Sequence, residues 1–301
     1  MSAKKLLLIV NPKAGTGKIK SHLFEVVDIL SKGGFEVTVY PTKKQLDAIG
    51  RIKEGIEEFD RIVVCGGDGT LNEVVNGVIM TGSDIPIGYI PAGTLNEWSS
   101  GLKISRNIPT AARDIVSGCE KSLDVGLFDN RHFTYTASFG AFTEVSYSAE
   151  QDVKNVLGQA AYFFEGIKSI GNIKPIKLKL ETEAKTVEGE FIFGAISNSM
   201  SVGGVLKLDE NTVALNDGFF EVVLIRKPDS IADLQKIVDG ILKKDFTKKG
   251  IEFMKAARIT VYSGKKLDWT LDGEHARGEK VTKITNLQNR LQFIVPSRGS
   301  F

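Results

Sequence analysis

Cysteine, long apolar runs and an excess of one charge are all scarce in this chain of 301 residues. Its two cysteines, Cys65 and Cys119, have no spacing typical of a zinc site or a disulfide framework, which favours a reducing cytoplasm. No apolar run approaches the ~18 residues needed to span a bilayer, and the first one, Leu6 to Val10, is too short for a signal peptide. The net charge of +2 predicts no surface for a polyanion. These absences predict a cytoplasmic protein that is at most peripheral to a membrane.

The first half of the chain alternates apolar runs with helical patterns. The apolar runs predict strands at Leu6 to Val10, Phe35 to Tyr40, Arg61 to Cys65 and Ile87 to Ile90. The helical patterns predict helices at Ser21 to Ser31, at Gln45 to Glu58 and from Asn72 to Ile79. This alternation is typical of a doubly wound parallel sheet, which binds ligands at the carboxyl ends of its strands.

Period-2 alternation replaces this pattern from about Ser122 onward and predicts antiparallel strands. The predicted strands are His132 to Ser138, Ile176 to Glu181, Glu190 to Ser197, Phe219 to Ile225, Arg258 to Tyr262, Leu267 to Leu271 and Arg290 to Val295, with helices at Val156 to Ile170 and Ile231 to Lys244. We therefore predict an α/β doubly wound domain over residues 1–127, completed by residues 289–301, and a mostly antiparallel β domain over residues 128–288. The active site is expected in the cleft between them.

A glycine-rich turn between a predicted strand and a predicted helix is the most informative segment, with the sequence Gly66-Gly67-Asp68-Gly69-Thr70-Leu71-Asn72-Glu73. Its glycines let the backbone bend sharply and present N–H groups to a phosphate at the positive end of the helix. An acid in such an anion site suggests a metal or a transferring group, and Asp68 is that acid. The dinucleotide fingerprint is excluded because Asn72 occupies the position of its third glycine.

Two other strand ends carry similar small-residue loops, Asn11-Pro12-Lys13-Ala14-Gly15-Thr16-Gly17-Lys18 and Pro91-Ala92-Gly93-Thr94-Leu95-Asn96-Glu97. The first is not a nucleoside triphosphate P-loop, since Pro12 and Ile19 occupy positions that require glycine and serine or threonine. Lys18 could still aim its ammonium at phosphate oxygens. Because all three loops follow strands of one predicted sheet, we expect them to converge on one nucleotide.

A third kind of motif, Asp272-Gly273-Glu274, follows the strand Leu267 to Leu271. Asp-Gly by itself is a favoured hairpin turn. A carboxylate on such a hairpin could also accept a hydroxyl proton as that hydroxyl attacks a γ-phosphate. The turn alone does not decide between these two interpretations.

Taken in order, these motifs and Leu215-Asn216-Asp217-Gly218 resemble those of the soluble bacterial diacylglycerol kinase-like lipid kinases, which are related to sphingosine and ceramide kinases and more remotely to NAD kinases. The resemblance covers nearly the whole chain, and the opening Asn-Pro-x-x-Gly-x-Gly-Lys loop favours lipid kinases over NAD kinases. It implies ATP and magnesium (Mg2+) as cofactors. The residues that it implies for the ATP site are Asn11, Pro12, Lys13, Ala14, Gly15, Lys18, Thr42, Gly67, Asp68, Gly69, Thr70, Leu71, Asn72, Glu73, Thr94, Asn96 and Glu97.

The same resemblance implies the roles of the charged residues. Asp68 would organise the phosphates and magnesium, and Glu274 would be the base that activates the lipid hydroxyl. Asp124 matches an aspartate of a magnesium and water network. A second, structural metal site would be formed by the carboxylate of Asp217 with the backbone carbonyls of two further residues, Ala214 and Phe219, because a hard cation prefers oxygen ligands.

The chain departs from the family pattern after Asn96, where Asp, an aromatic residue or Leu, Ala and Arg usually follow. Glu97 keeps the negative charge but extends it by one methylene, and Ser100 stands in place of the arginine. The resemblance implies a cytoplasmic lipid kinase that associates transiently with the membrane surface, with diacylglycerol as the default acceptor and phosphatidylglycerol or a sphingoid base as alternatives. Nucleic acid is not an expected partner, and a homodimer is left open. A soluble metabolite kinase of the NAD-kinase type and a catalytically weakened nucleotide-binding protein remain alternative functions.

Overall fold

The computed structural model describes residues 3–15, 17, 19–94, 96–140, 174–199, 201–202, 206–207 and 214–297, without the side chains at positions 97, 100, 201, 202, 206 and 207. In chain order the elements are β1 (Lys4–Val10), α1 (Ile19–Lys32), β2 (Phe35–Pro41), α2 (Asp47–Lys53), a 3₁₀ turn (Ile56–Glu58), β3 (Arg61–Gly66), α3 (Asp68–Thr81), β4 (Ile87–Pro91), α4 (Glu97–Gly101), α5 (Ile108–Ser117), β5 (Cys119–Phe128), β6 (Arg131–Phe133), β7 (Thr136–Gly140), β8 (Ile176–Thr182), β9 (Thr186–Ser197), β10 (Ser201–Val202), β11 (Leu206–Lys207), β12 (Phe220–Arg226), α6 (Ile231–Leu242), β13 (Ile251–Ala256), β14 (Arg258–Ser263), β15 (Leu267–Leu271), β16 (Glu274–Gly278) and β17 (Val281–Val295). The chain forms two compact units, Met1–Asp124 with Asn289–Phe301, and Val125–Gln288.

The first unit is built on a parallel sheet with the strand order β2-β1-β3-β4-β17. Its central strands are continuous apolar runs. The residues from Ile62 to Gly66 in β3 are all buried, and so is Leu6 in β1, as expected when helices cover a parallel sheet. Helix α1 packs against α5, and α2 packs against α3. The last strand reaches β4 by the pairing of Phe293 with Ile87.

The second unit is antiparallel in every pairing that the structure describes within it. The strand order is β16-β15-β7-β9-β8-β14-β17, and β9 also pairs with β12, which pairs with β13. Side chains alternate between two apolar clusters along these strands, so that Val222 lies in one cluster and Val223 in the other. Helix α6 covers the second cluster with Ile237, Val238 and Ile241.

The predicted fold class, a doubly wound α/β unit followed by a mostly antiparallel β unit, is confirmed. The helix predicted at Gln45 to Glu58 was too long, because Leu46 has a left-handed φ of 65° and the chain from Ile56 to Glu58 forms only a 3₁₀ turn. The strand predicted at His132 to Ser138 is divided into β6 and β7. The elements β5, α4, α5, β13 and β16 were not predicted, and the helix predicted at Val156 to Ile170 lies outside the described residues.

In the part of the chain that the structure describes, no helix combines the length and the apolar character needed to cross a bilayer.

Candidate active site

The loops that follow β1, β2, β3 and β4 are joined to one another by backbone hydrogen bonds at the carboxyl edge of the first unit's sheet. The N–H of Asn11 donates to the carbonyl of Cys65 at 2.9 Å, and that of Ala92 donates to Gly66 at 2.8 Å. Thr42 donates from its N–H to the carbonyl of Val10 at 2.8 Å. These bonds extend the strand ladders by one step, so the predicted loops lie side by side.

Glycine allows these loops to touch backbone to backbone. A Cβ atom on Gly93 would lie 2.5 Å from the Cα of Gly67 and 2.8 Å from Oδ1 of Asn96. A Cβ atom on Gly15, whose φ is +52°, would lie 2.5 Å from the carbonyl oxygen of Ala92. Real Cβ atoms do not approach other atoms this closely, so no side chain fits at Gly15 or Gly93. The convergence expected from the sequence is therefore present within the first unit.

Helix α3 begins at the centre of this arrangement, at Asp68, four residues earlier than the predicted Asn72. Gly67 is its N-cap and offers no side chain to the first N–H groups of the helix. Gly69 is exposed, with no atom within 4 Å of where its Cβ would be. The N-terminus of such a 14-residue helix, which has no side-chain cap, attracts anions through the N–H groups of its first turn and through its dipole.

Two side chains, those of Asn11 and Asn96, hold the loops around α3 in place. Asn11 donates from Nδ2 to Oγ1 of Thr70 at 2.9 Å, which joins the loop after β1 to the first turn of the helix. Asn96 is buried with a φ of 49°, and its Oδ1 accepts from the hydroxyl of Tyr89 at 3.1 Å and from the N–H of Gly93 at 2.9 Å. Burial raises the pKa of Tyr89, and the negative charge of Asp68 raises it further. Asn96 therefore holds the loop after β4 in shape through its hydrogen bonds with Tyr89 and Gly93.

The remaining residues implied for the ATP site have different surroundings. Lys13, Gly15, Gly69 and Thr94 are exposed, whereas Ala14 and Leu71 are buried, so Leu71 could meet a ligand only through its backbone. Pro12, Thr42, Asn72 and Glu73 are half-buried, and Asn72 accepts from Asn76 at 2.9 Å. Lys18 lies outside the described residues, and for Glu97 only the backbone at the start of α4 is described.

Asp124 and Asp217, the carboxylate expected in the structural metal site, both make contacts within the protein. Asp124 is fully buried, and its Oδ1 accepts from the N–H of Asn289 at 2.8 Å. Asp217 accepts from the N–H of Phe219 at 3.0 Å and from Nζ of Lys255 at 3.0 Å. Among the described residues, no group of three or more His, Cys, Asp or Glu side chains could hold a metal ion.

Lys255 also serves a buried acid. Its Nζ lies 3.2 Å from Oε1 of Glu221, whose side chain is 0% exposed. Burial raises the pKa of Glu221 to about 7, while the charge of Lys255 acts in the opposite direction. An ammonium thus supplies positive charge beside Asp217, the carboxylate expected to bind a structural metal ion.

In the second unit, Glu274 is the first residue of β16 and follows the turn Asp272-Gly273. Its side chain is 49% exposed, and Nη2 of Arg131 lies 3.8 Å from its Oε2. Arg131 also donates from Nη1 to the carbonyl of His275 at 3.2 Å. No sequence pattern pointed to Arg131, because 143 positions separate it from Glu274 and the contact depends on strand pairing.

The model of the diacylglycerol kinase catalytic domain matches residues 5–128. The diacylglycerol kinase of Bacillus subtilis is 31% identical over 296 residues, which cover 97% of this chain and 97% of the relative. This chain belongs to the diacylglycerol kinase family. The family resemblance expected from the motifs is thereby confirmed.

Further relatives of the diacylglycerol kinase family cover the chain equally well. The diacylglycerol kinase of Staphylococcus aureus is 30% identical, with 98% of this chain and 93% of the relative covered. A crystal structure of a diacylglycerol kinase from Bacillus anthracis has a TM-score of 0.76 at 25% identity and covers 98% of both chains. Both units are therefore common to the relatives.

Proposed function

We propose that this protein is a lipid kinase that transfers the γ-phosphoryl group of ATP to the hydroxyl of diacylglycerol at a membrane surface, with magnesium as the metal. The observation that carries the proposal is the contact of three glycine-containing loops around the open N-terminus of α3, in a chain of the diacylglycerol kinase family. Phosphoryl transfer depends mainly on positioning and on charge stabilisation, and backbone N–H groups supply both.

The residues around α3 fit an ATP–magnesium complex. Mg²⁺ in kinases is usually held by one or two carboxylates together with phosphate oxygens and water, so a single acid beside a phosphate site is sufficient. Asp68 stands at the first position of α3 and would bind the metal there. When bound, magnesium neutralises charge that develops on the phosphates. Gly67 and Gly69 would donate backbone N–H groups to those phosphates.

Glu274 would take the proton of the acceptor hydroxyl at a carboxylate oxygen as that hydroxyl attacks the γ-phosphorus. Its half-exposed side chain can meet a substrate, whereas the carboxylate of Asp272 is buried. Asp124 would act on the metal through water. Because both oxygens of Asp217 bond within the protein, we assign no step to a second metal ion.

The test is the transfer of labelled γ-phosphate from ATP to lipids in mixed micelles, with wild type, Asp68→Asn and Glu274→Gln. We expect labelled phosphatidic acid with wild type and a loss of at least about 100-fold in each variant, because general bases and metal-organising acids contribute on this scale. Matched controls are Asp28→Asn on α1, whose carboxylate pairs only with exposed Lys32, and Glu279→Gln, whose carboxylate pairs with exposed Lys266.

Four acceptors, namely diacylglycerol, phosphatidylglycerol, sphingosine and NAD, are assayed in parallel to decide among the alternatives. Labelled phosphatidylglycerol or sphingosine in place of diacylglycerol would keep the lipid kinase and change its substrate. Labelled NAD without labelled lipid would replace the proposal by a soluble metabolite kinase. ATP binding without transfer to any acceptor would indicate a nucleotide-binding protein that has lost its catalysis.

A further inference from the structure

The turn that precedes Glu274 has a fixed geometry. Leu271 at the end of β15 pairs with Glu274 at the start of β16, so only Asp272 and Gly273 form the loop. Their φ angles are 50° and 87°, as in the two-residue hairpin turn that matches the twist of its strands. Asp and Gly are favoured there because they tolerate a left-handed backbone. The turn accounts for these two residue types, but it requires nothing of the aspartate side chain.

The carboxylate of Asp272 is nevertheless buried and fully used. It is 8% exposed, and Oδ2 accepts from the N–H of Thr134 at 2.6 Å and from its Oγ1 at 2.7 Å. Oδ1 accepts from the N–H groups of Tyr135 and Thr136, both at 3.0 Å. In return, the N–H of Asp272 donates to the carbonyl of Thr136 at 2.9 Å. Five hydrogen bonds therefore join this one residue to the connection between β6 and β7 and to Thr136, the first residue of β7.

Strand β6, which leads into this connection, contacts the hairpin on the other side of Glu274. Arg131, on β6, contacts the carbonyl of His275 and approaches the carboxylate of Glu274. The segment from Arg131 to Thr136 thus bonds Asp272, two residues before Glu274, and His275, the residue after it. Burial raises the pKa of Asp272, and the four donors act against that rise by stabilising its ionised form. A buried acid that is bonded on both oxygens fixes its surroundings more firmly than a solvated turn residue.

We propose that Asp272 is a positioning residue that holds the carboxylate of Glu274 in place for proton transfer. The inference rests on the proposed function, in which Glu274 is the base. Asp272 touches neither the acceptor nor the phosphate in this role, because its oxygens are occupied by Thr134, Tyr135 and Thr136. Its effect on catalysis passes through the hairpin backbone alone.

The test substitutes Asp272→Asn, because asparagine also tolerates a left-handed φ and leaves the turn unstrained. The NH₂ group of the asparagine amide would face one or more of the N–H groups that donate to the carboxylate, so part of this set of hydrogen bonds would be lost. The matched control is Asp129→Asn. Asp129 also lies in a hairpin turn, has a φ of 48° and accepts a backbone N–H from Lys283 at 2.9 Å, but that turn does not carry Glu274. Both variants are also made in a Glu274→Gln background.

We expect Asp272→Asn to lower kcat by about 10- to 100-fold, since displacing a catalytic group by about 1 Å has effects of this size. The KM of Asp272→Asn for ATP should stay within about twofold of the wild-type value, and so should the kcat of the Asp129→Asn control. In the Glu274→Gln background, Asp272→Asn should cause no further loss, because a positioning residue has no effect once the positioned group is absent. If Asp272→Asn does not fold, Thr134→Val removes one donor to the carboxylate and should show the same dependence on Glu274.

The outcomes separate this inference from the proposed function. A slow Glu274→Gln enzyme in which Asp272→Asn lowers kcat by the same factor as in wild type would overturn the positioning role and leave the base in place. An unchanged kcat for Asp272→Asn would do the same. A Glu274→Gln enzyme as fast as wild type would remove the proposed base, and the positioning role with it.

Discussion

At the scale of single residues, Gly93 is a position in the candidate ATP site where no side chain fits. Gly93→Ala would place a methyl group 2.5 Å from the Cα of Gly67, so the two loops must separate. We expect ATP affinity to fall at least about tenfold and the free energy of unfolding to fall by about 1–3 kcal/mol, as for overpacked sites. Calorimetric titration with ATP and thermal unfolding measure the two effects.

The control for Gly93→Ala is Gly50→Ala in α2, where the new methyl group meets no atom within 4 Å. Alanine replaces glycine in a helix there, so stability should be unchanged or higher by about 0.5–1 kcal/mol. Equal ATP affinity in both variants would show that the contact of Gly67 with Gly93 does not shape the nucleotide site.

Lys255 has a different role, because it compensates the buried charge of Glu221. Lys255→Met would leave that carboxylate 0% exposed without its cation. We expect the free energy of unfolding to fall by about 2–3 kcal/mol well above pH 7, and by less at neutral pH, because the pKa of about 7 leaves Glu221 partly protonated there. Urea unfolding measures this change.

Lys227→Met provides the comparison, since its ion pair with Glu190 is about half exposed on both sides and at 3.4 Å. Surface pairs of this kind contribute about 0–1 kcal/mol. If the two variants lose the same stability, the burial of Glu221 does not depend on Lys255.

At the scale of helices and strands, the sequence predicted the elements whose pattern is continuous. The runs Arg61 to Cys65 and Ile87 to Ile90, which are apolar apart from Arg61, were predicted within one residue of β3 and β4. Helix α5 was not predicted, although Asn107 and Pro109 are typical of a helix start. Strand β5 was missed because Glu120 and Lys121 near its start are polar, so that its apolar second half does not extend into a recognisable strand pattern.

The start of α5 supplies a prediction at this scale. Oδ1 of Asn107 accepts from the N–H of Thr110 at 3.0 Å and from its Oγ1 at 2.8 Å. Asn107→Ala should lower the free energy of unfolding by about 1 kcal/mol, the usual value for a lost N-cap. Asn107→Asp should keep it, and urea unfolding of both variants gives the comparison. A loss of the same size in Asn107→Asp would mean that the cap bond is not the cause.

At the scale of the whole molecule, the sequence predicted which loops meet but not the bonds that hold the candidate base. Parallel strands bring their carboxyl ends to one edge, so the loops after β1, β3 and β4 could be placed together from their order alone. The contacts of Asp272 with Thr134 span 138 positions. They depend on which antiparallel strands pair, and a turn motif does not contain that information.

The ATP site that we propose in the first unit predicts where the nucleotide will stabilise the molecule. ATP with magnesium should slow hydrogen exchange in the segments 11–17, 66–71 and 92–96, because their N–H groups and their mutual contacts define the site. Helix α6 belongs to the other unit and packs on its apolar cluster, so its exchange should not change. Hydrogen exchange followed by mass spectrometry, with and without ATP at about 100 times its Kd, measures this; such an excess stabilises by about 2.7 kcal/mol if only the folded state binds. Protection that appears in α6 but not at residues 66–71 would place the nucleotide elsewhere.

The variant Asp68→Asn separates the two parts of the proposed site. It keeps the backbone donors to the phosphates but lacks the acid that we propose as the metal ligand. We therefore expect ATP to slow exchange in this variant to the same degree with and without magnesium, whereas in wild type magnesium should increase the protection.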